Sequence, residues 1–330
     1  MIELISDLVA LWGPPGHEGR VAEALAELVK PYVDRVRRDA LGNLIATRDG
    51  GGRRVLLMAH MDAPGGVVTH VEESGLLRTA GLGPFTPALA FGQRVLFGDG
   101  LTGTVCGDGE PKDLTAQRLW IDCGFRDGEQ ARGRVQPGDA WVYAAPTQVM
   151  GPRLIAPGLD GRAACAVLVE VARHLYLTAP QTCVHLVFTV QELPGPRAGA
   201  AAALGLEPDV AVVVDFSAAG EVPGGPRTPA KLGGGCVLRV KDARFLSHAG
   251  LLRLLRDLAE TQAVPHCTEV LSEGTSEAVG VEVAGAGVPT AVVGLPLRYV
   301  GTPGEVLDST DARAAADLLL QLLSSEVDIQ

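Results

Sequence analysis

Uninterrupted runs of apolar residues recur along the chain, and several of them lead directly into polar side chains. The residues that follow three of these runs are His60 with Asp62, Glu192, and Asp215. A strand without polar alternation is typical of a parallel sheet that is covered on both faces. Because the active sites of such sheets lie beyond the carboxyl ends of their strands, these polar residues are predicted to meet there.

Apolar residues at helical spacing lie between and around these strands. Residues 2–12 predict a first helix, and residues 18–36 predict a second helix that Pro31 should bend or shorten. Two further helices are predicted at 163–175 and 311–323. Strands that alternate with helices in this way predict an α/β fold, with a mixed sheet flanked by helices.

The pattern changes between residues 66 and 152, where short strand-forming runs alternate with Gly, Pro and Asp turn signals. The five runs are 67–71, 94–97, 103–106, 119–122 and 141–143. Strands of this length and spacing predict a small β-barrel or sandwich. We therefore predict an α/β domain of residues 1–65 and 153–330, interrupted by an inserted β-barrel-like domain of residues 66–152.

Composition narrows the class of protein. The 330 residues are 47% apolar and 20% charged, which is typical of a globular chain with room for two domains. The net charge of −11 argues against nucleic acid and anionic membranes as partners. The sequence has no apolar run long enough to span a membrane and no basic start of a signal peptide, so a cytoplasmic protein is expected. Its six cysteines form no C-x-x-C pair and are expected to be reduced.

The motifs at the strand ends occur in a specific order. They are Gly42-Asn43-Leu44, Ala59-His60-Met61-Asp62, Leu159-Asp160-Gly161-Arg162, Phe188-Thr189-Val190-Gln191-Glu192, Val214-Asp215 and Pro296-Leu297-Arg298-Tyr299. In this order, from about residue 5 to residue 323, they resemble peptidase family M42, the dinuclear metal aminopeptidases related to glutamyl and deblocking aminopeptidases. The resemblance implies an α/β catalytic domain with a barrel-like insertion, a peptide substrate, and homo-oligomers from dimers up to dodecamers.

Site residues carry over from the family position by position. His60, Asp160 and Asp215 match the ligands of one metal, with Asp160 as the bridging carboxylate. Asp62 matches the residue that orients the histidine, and Glu192 matches the general base. A histidine and two carboxylates suit zinc or cobalt.

Two ligands of the family's second metal are missing from this sequence. Leu193 stands where the family has a glutamate directly after the base, and Gly301 stands near the family's second histidine. Ser276 also replaces an aspartate of the family. We therefore predict at most one tightly bound divalent metal per chain.

Each residue of the set also has a simpler interpretation. Asp160 could cap a helix, Asp62 and Asp215 could be ordinary strand-ending acids, and His60 could be a hydrogen-bonded, partly buried histidine. Taken together, in family order, the residues favour metal binding. Glu192 by itself is the weaker assignment, because its carboxylate could simply face a polar cleft.

Three functions are compatible with these observations. The first is a metal-dependent aminopeptidase that removes N-terminal residues from peptides. The second is a weak or inactive relative that serves as a binding or assembly protein, and Leu193 and Gly301 are the residues that separate it from the first. The third is a glycosidase, which the low aromatic content of 4% disfavours, because sugar clefts are usually lined by aromatic rings.

Overall fold

The computed structural model describes residues 1–175 and 182–325, and the elements within these ranges are as follows. The helices are α1 Ile2–Val9, α2 Gly19–Val29, α3 Pro87–Ala90, α4 Gly128–Arg132, α5 Leu159–Leu175, α6 Ala198–Leu206, α7 Ala249–Thr261, α8 Ala278–Val281 and α9 Ser309–Ser324. The strands are β1 Arg35–Arg38, β2 Leu44–Arg48, β3 Arg54–His60, β4 Gly65–Val71, β5 Leu77–Leu82, β6 Arg94–Phe97, β7 Thr102–Gly107, β8 Leu119–Asp122, β9 Ala140–Tyr143, β10 Gln148–Met150, β11 Arg153–Ala156, β12 Cys183–Thr189, β13 Val210–Ala218, β14 Cys236–Lys241, β15 His266–Val270, β16 Thr290–Arg298 and β17 Glu305–Asp308.

Eleven of these strands form one large mixed sheet in the order β1-β2-β12-β3-β13-β16-β17-β11-β10, with β14 and β15 branching from β16. Strands β12, β3, β13 and β16 run parallel to one another at its centre. Their side chains are buried along almost their whole length, as the continuous apolar runs predicted.

Helices cover both faces of this sheet. On one face, α5 and α9 pack beside α1, α2 and α7 over the larger apolar core. On the other face, α6 and α8 cover a smaller core. Fifteen of the seventeen residues of α5 are buried, which makes this helix the central support beneath the parallel strands. The prediction of a mixed sheet flanked by helices is confirmed.

A closed barrel of six antiparallel strands, in the order β4-β5-β8-β7-β6-β9, occupies residues 65–143. Its interior is a separate apolar core that includes Trp141, Leu77 and Val105. The indole nitrogen of Trp141 donates a hydrogen bond to Thr79 Oγ1 at 2.7 Å, so this large buried ring has a polar partner. The predicted barrel is thus confirmed.

The elements depart from the sequence-based predictions in several places. Helix α1 ends at Val9, although the first helix was predicted to continue to residue 12. Helix α2 ends at Val29, and a short 3-10 turn with Pro31 leads into β1, so the prediction of a helix up to residue 36 was wrong. Strand β5 was missed because Ala80 and Gly81 form strands weakly. Strand β10 lies inside the range predicted for the barrel-like domain but pairs with β11 of the large sheet. The domain division at residues 66 and 152 stays a prediction.

None of the helices in the described part of the chain has the length and apolar character that spanning a bilayer requires.

Candidate metal centre

The carboxyl ends of the central parallel strands bring three distant parts of the chain together. His60 is the last residue of β3 and pairs in register with Thr189, the last residue of β12. Asp215 lies on β13, two residues beyond its last pairing with β3 at Val213. Asp160 is the second residue of α5. Sheet register and the start of α5 therefore place these three side chains at one edge of the sheet, as the sequence predicted.

The ligand atoms of His60, Asp160 and Asp215 all lie within 4.8 Å of one another. Within residues 1–175 and 182–325, this is the one group of three or more His, Cys, Asp or Glu side chains with such convergence. The three residues are 3%, 5% and 4% exposed. Carboxylates held this close in a buried site repel each other, so positive charge between them would stabilise the arrangement.

Two of these ligand atoms have no hydrogen-bond partner among the described residues. His60 Nε2 lies 3.3 Å from Asp160 Oδ1, but neither atom makes a hydrogen bond of acceptable geometry. Buried polar atoms are normally satisfied, and an unsatisfied one requires an explanation such as a missing ion. A nitrogen and carboxylate oxygens that point at one another are the donor set that zinc or cobalt uses, so the residues fit a divalent metal.

Asp62, which is fully buried, connects the histidine to the segment that carries Glu192. Its Oδ1 lies 3.1 Å from His60 Nδ1, so that nitrogen can donate to the carboxylate while Nε2 faces the cluster. The same carboxylate accepts hydrogen bonds from the backbone N–H groups of Glu192 at 3.2 Å and Leu193 at 2.9 Å. Burial opposes ionisation, but the hydrogen bond and charge of His60 and the backbone hydrogen bonds from Leu193 and Glu192 together outweigh it and lower the pKa of Asp62.

The electrostatic environment of His60 favours its charged form. Burial opposes the charge, yet Asp160 above all, with Asp62 and Glu192, raises the pKa of His60 well above its ordinary value. These acids therefore favour positive charge at this position, which a proton on the ring or a cation beside it can supply. A divalent metal would compete with that proton for Nε2, as expected for a metal ligand.

Glu192 lies three residues beyond β12, beside the cluster. Burial raises its pKa well above the ordinary value, and the charges of Asp215 and Asp160 raise it further, although His60 opposes them. The preceding Gln191 has a left-handed backbone with φ +56°, and its N–H donates to Glu18 Oε1 at 2.9 Å. Glu18 and Asp62 therefore fix the backbone that presents Glu192, and a carboxylate with a raised pKa suits a general base.

Asp215 is bound on its other side by a buried arginine that the sequence analysis did not single out. Arg239 on β14 donates from Nη1 to Asp215 Oδ2 at 3.1 Å and from Nε to Glu269 Oε1 at 2.9 Å. Burial raises the pKa of Asp215 to about 6, although the charge of Arg239 opposes this effect. An arginine inside an otherwise apolar run was the available signal, since a buried guanidinium requires several hydrogen-bond acceptors around it.

The backbone N–H groups of Leu193 and Gly301, the two positions that the sequence analysis compared with metal ligands of the family, donate hydrogen bonds to buried carboxylates. The N–H of Gly301 donates to Glu305 Oε1 at 2.7 Å, while Glu305 Oε2 accepts from the N–H of Leu159 at 2.7 Å. Leu193 lies against the barrel, since a Cβ built on Gly83 would fall 2.6 Å from Leu193 Cβ. Burial and the charge of Asp160 raise the pKa of Glu305 to about 8. Because leucine and glycine carry no polar side-chain atom, neither Leu193 nor Gly301 offers a side-chain donor to a second ion.

Solved structures of aminopeptidases share this fold over almost the whole chain. A TET aminopeptidase from a marine-sediment Thaumarchaeota archaeon matches with a TM-score of 0.95 at 28% identity, covering 99% of this chain and 97% of that one. The TET1 peptidase of Pyrococcus horikoshii matches with a TM-score of 0.87 at 26% identity, over 98% of each chain. The fold and site thus define a peptide hydrolase of the aminopeptidase class.

Sequence comparison narrows the class to a family. The family model for M42 glutamyl aminopeptidases matches residues 42–318. A protein of Acetivibrio thermocellus, provisionally named an aminopeptidase, is 32% identical over 326 residues, which cover 98% of this chain and 98% of that protein. This chain belongs to the M42 family, as its motifs indicated.

Proposed function

We propose that the protein is a metal-dependent aminopeptidase that uses one tightly bound divalent ion per chain, held by His60, Asp160 and Asp215. The observation that carries the proposal is the pair of buried, unpartnered atoms, His60 Nε2 and Asp160 Oδ1, at the carboxyl ends of the parallel strands. Zinc and cobalt suit a donor set of one imidazole and two carboxylates. The ion's identity stays a prediction.

A divalent ion at this position would polarise the scissile carbonyl and lower the pKa of the attacking water. Glu192 accepts the proton of that water and passes it to the leaving amine, a role that its raised pKa supports. Asp62 holds the imidazole of His60 in the tautomer that leaves Nε2 free, and it fixes the backbone of Glu192 at the same time.

Two variants test separate parts of this proposal. Asp160→Asn should remove tight metal binding, measured by elemental analysis after dialysis. Glu192→Gln should keep the metal but lower hydrolysis of aminoacyl anilides about 10²- to 10⁴-fold, because only the proton acceptor is lost. Glu207→Gln, which changes an exposed glutamate at the end of α6, is the matched control. Full activity of the Glu192→Gln enzyme would exclude Glu192 as the base.

The second candidate function is an M42 relative with weak or no activity that serves as a binding or assembly protein. The observation that favours it is the missing pair of second-metal donors at Leu193 and Gly301. If the metal-loaded wild-type protein hydrolyses none of a panel of aminoacyl anilides, this function becomes the better one. Family membership favours either function over the glycosidase hypothesis.

We further propose that the chains form a homo-oligomer. The P. horikoshii TET1 peptidase is described as assembling into a tetrahedron or a large octahedral shell, and its likeness over 98% of each chain supports assembly here. Light scattering that gives a monomer mass at micromolar concentration would contradict this. The cytoplasmic location and the exclusion of nucleic acid as a partner stay predictions.

A further inference from the structure

A cleft of about 380 Å³ opens at the amino ends of β3 and β12, the end of these strands opposite to the candidate metal centre. Arg54 begins β3 and His60 ends it, so the two positions are about 20 Å apart along the strand. The polar side chains that line the cleft are Arg35, Arg37, Arg54, Thr47, Cys183 and His185. The aminopeptidase chemistry uses none of them.

Sheet register explains why these side chains share one face. Arg35 pairs with Thr47, and Thr47 pairs with His185, so the three form a row across β1, β2 and β12. Arg54 pairs with Cys183 in the neighbouring row, two residues away on β12. Arg37 follows Arg35 by two residues on β1. Because alternate residues of a strand point to the same side, all these side chains face the cleft together.

The arginines of the cleft are only loosely paired with acids. Arg37 makes no ion pair within residues 1–175 and 182–325. Arg54 has two exposed partners, Glu207 at 3.4 Å and Asp209 at 3.5 Å. Arg35 pairs with Asp49, and both side chains are more than half exposed. Ion pairs this exposed contribute little stability, so a ligand with two negative charges can replace them at small cost.

The floor of the cleft is a buried hydrogen-bonded row. His185 is 7% exposed, its Nδ1 lies 3.0 Å from Thr47 Oγ1, and its Nε2 lies 3.7 Å from Cys183 Sγ. Burial lowers the pKa of His185, and the charges of Arg35 and Arg54, together with Arg37, lower it further against the opposing charge of Asp49. Three arginine side chains and this buried row therefore line the same cleft, in a protein whose net charge is −11.

We propose that this cleft is a binding site for a small anion with at least two negative charges, of the phosphate or dicarboxylate type. Guanidinium groups bind both anions through paired N–H donors, which a lysine cluster could not reproduce. A volume of about 380 Å³ suits a small metabolite rather than a macromolecule. The site is separate from the metal centre and would remain if the aminopeptidase assignment failed.

Calorimetric titration of the full-length protein with inorganic phosphate, and separately with succinate, tests this proposal. Wild-type protein should bind at least one of them, and tenfold more salt should weaken binding because the contacts are electrostatic. Arg37→Ala should raise the dissociation constant about tenfold, and the Arg35→Ala/Arg37→Ala double variant should raise it further. Preference for phosphate or for succinate identifies the type of anion.

Two controls separate this cleft from other sites. Arg253→Ala removes an exposed arginine on α7, outside the cleft, and should leave the dissociation constant unchanged. Asp160→Asn alters the metal centre and should also leave it unchanged, which excludes binding of the anion to the metal. The proposal is overturned if the wild-type protein binds neither anion at millimolar concentration, or if Arg37→Ala binds as tightly as wild type.

Discussion

The candidate site has two halves, and their buried polar atoms differ in their hydrogen-bond partners. The ligand half consists of His60, Asp160 and Asp215, whose donor atoms converge within 4.8 Å. The closed half consists of the segments at Leu193 and Gly301, where the backbone N–H groups donate to Asp62 and Glu305. In the ligand half, two buried atoms lack a partner among the described residues, whereas in the closed half the nearby carboxylates accept backbone hydrogen bonds.

This contrast shows that the number of acids near a strand end does not define a metal site. Asp62 and Glu305 are as buried as Asp160, yet their oxygens are occupied by backbone N–H groups. A carboxylate oxygen that already accepts such a bond has one lone pair fewer to offer to an ion. His60 Nε2 and Asp160 Oδ1, the two convergent atoms without such a partner, are therefore the feature that favours metal binding, while Asp215 accepts hydrogen bonds from Arg239 and from the N–H of Phe216.

Replacement of Arg239 by leucine should give the largest effect on the ligand half. Without the guanidinium, Asp215 and Glu269 would be buried without their charged partner, so we expect the free energy of unfolding to fall by about 3–5 kcal/mol. Urea denaturation of metal-free protein measures the loss, with the exposed Arg253→Leu as the matched control. A loss below about 1 kcal/mol would show that water or the carboxylates' own protonation replaces the arginine.

Asp62→Asn tests how much the orientation of the His60 ring contributes to metal affinity, because the histidine itself remains. A carboxylate stabilises the His60 tautomer with a proton on Nδ1 better than a neutral asparagine does. Metal affinity should therefore fall about 10- to 100-fold in the variant. Competition with a chelator measures this affinity. The control is Asp257→Asn, which changes an exposed acid on α7. Unchanged affinity would mean that burial alone holds the ring.

Glu305→Gln tests the closed half through pH. Because burial raises the pKa of Glu305 to about 8, the folded protein binds a proton that the unfolded chain releases near pH 4.5. The stability that Glu305 contributes is therefore fully present below about pH 4.5 and is lost as pH rises through about 8. Glutamine does not titrate, so the wild type's advantage in Tm over the variant should shrink between pH 5 and pH 9 in metal-free protein. A constant difference in Tm would contradict the raised pKa.

Placing metal ligands at Leu193 and Gly301, in the closed half, should change stability least. It tests directly whether the two halves differ only in their side-chain donors. The double variant Leu193→Glu/Gly301→His should raise tightly bound metal from one to two equivalents per chain, while each single variant should change little. Gly301 has φ +74°, where a histidine costs about 1–2 kcal/mol, although nothing lies within 4 Å of its Cβ position. If the folded double variant still binds one equivalent, the hydrogen bonds to Asp62 and Glu305 keep these segments away from the ion.

The sequence by itself determined the fold class and the position of the ligand half. Buried parallel strands require continuous apolar runs, and the polar residues His60 and Asp215 stand out because they interrupt or end such runs. The barrel could also be predicted from the sequence, because its short strand-forming segments between turn residues differ from the long apolar segments of the α/β domain. Local patterns of this kind need no knowledge of distant contacts.

Only the tertiary structure decided which other residues support the site. Glu18 accepts a hydrogen bond from the N–H of Gln191, which is 173 residues away in the sequence. Glu305 accepts one from the N–H of Leu159, which is 146 residues away. Arg239 finds Asp215 because β14 and β13 both flank β16, a sheet order that no local pattern specifies. Buried charges are stabilised by partners that are near in space, and nearness in space between distant segments arises only when the sheet assembles.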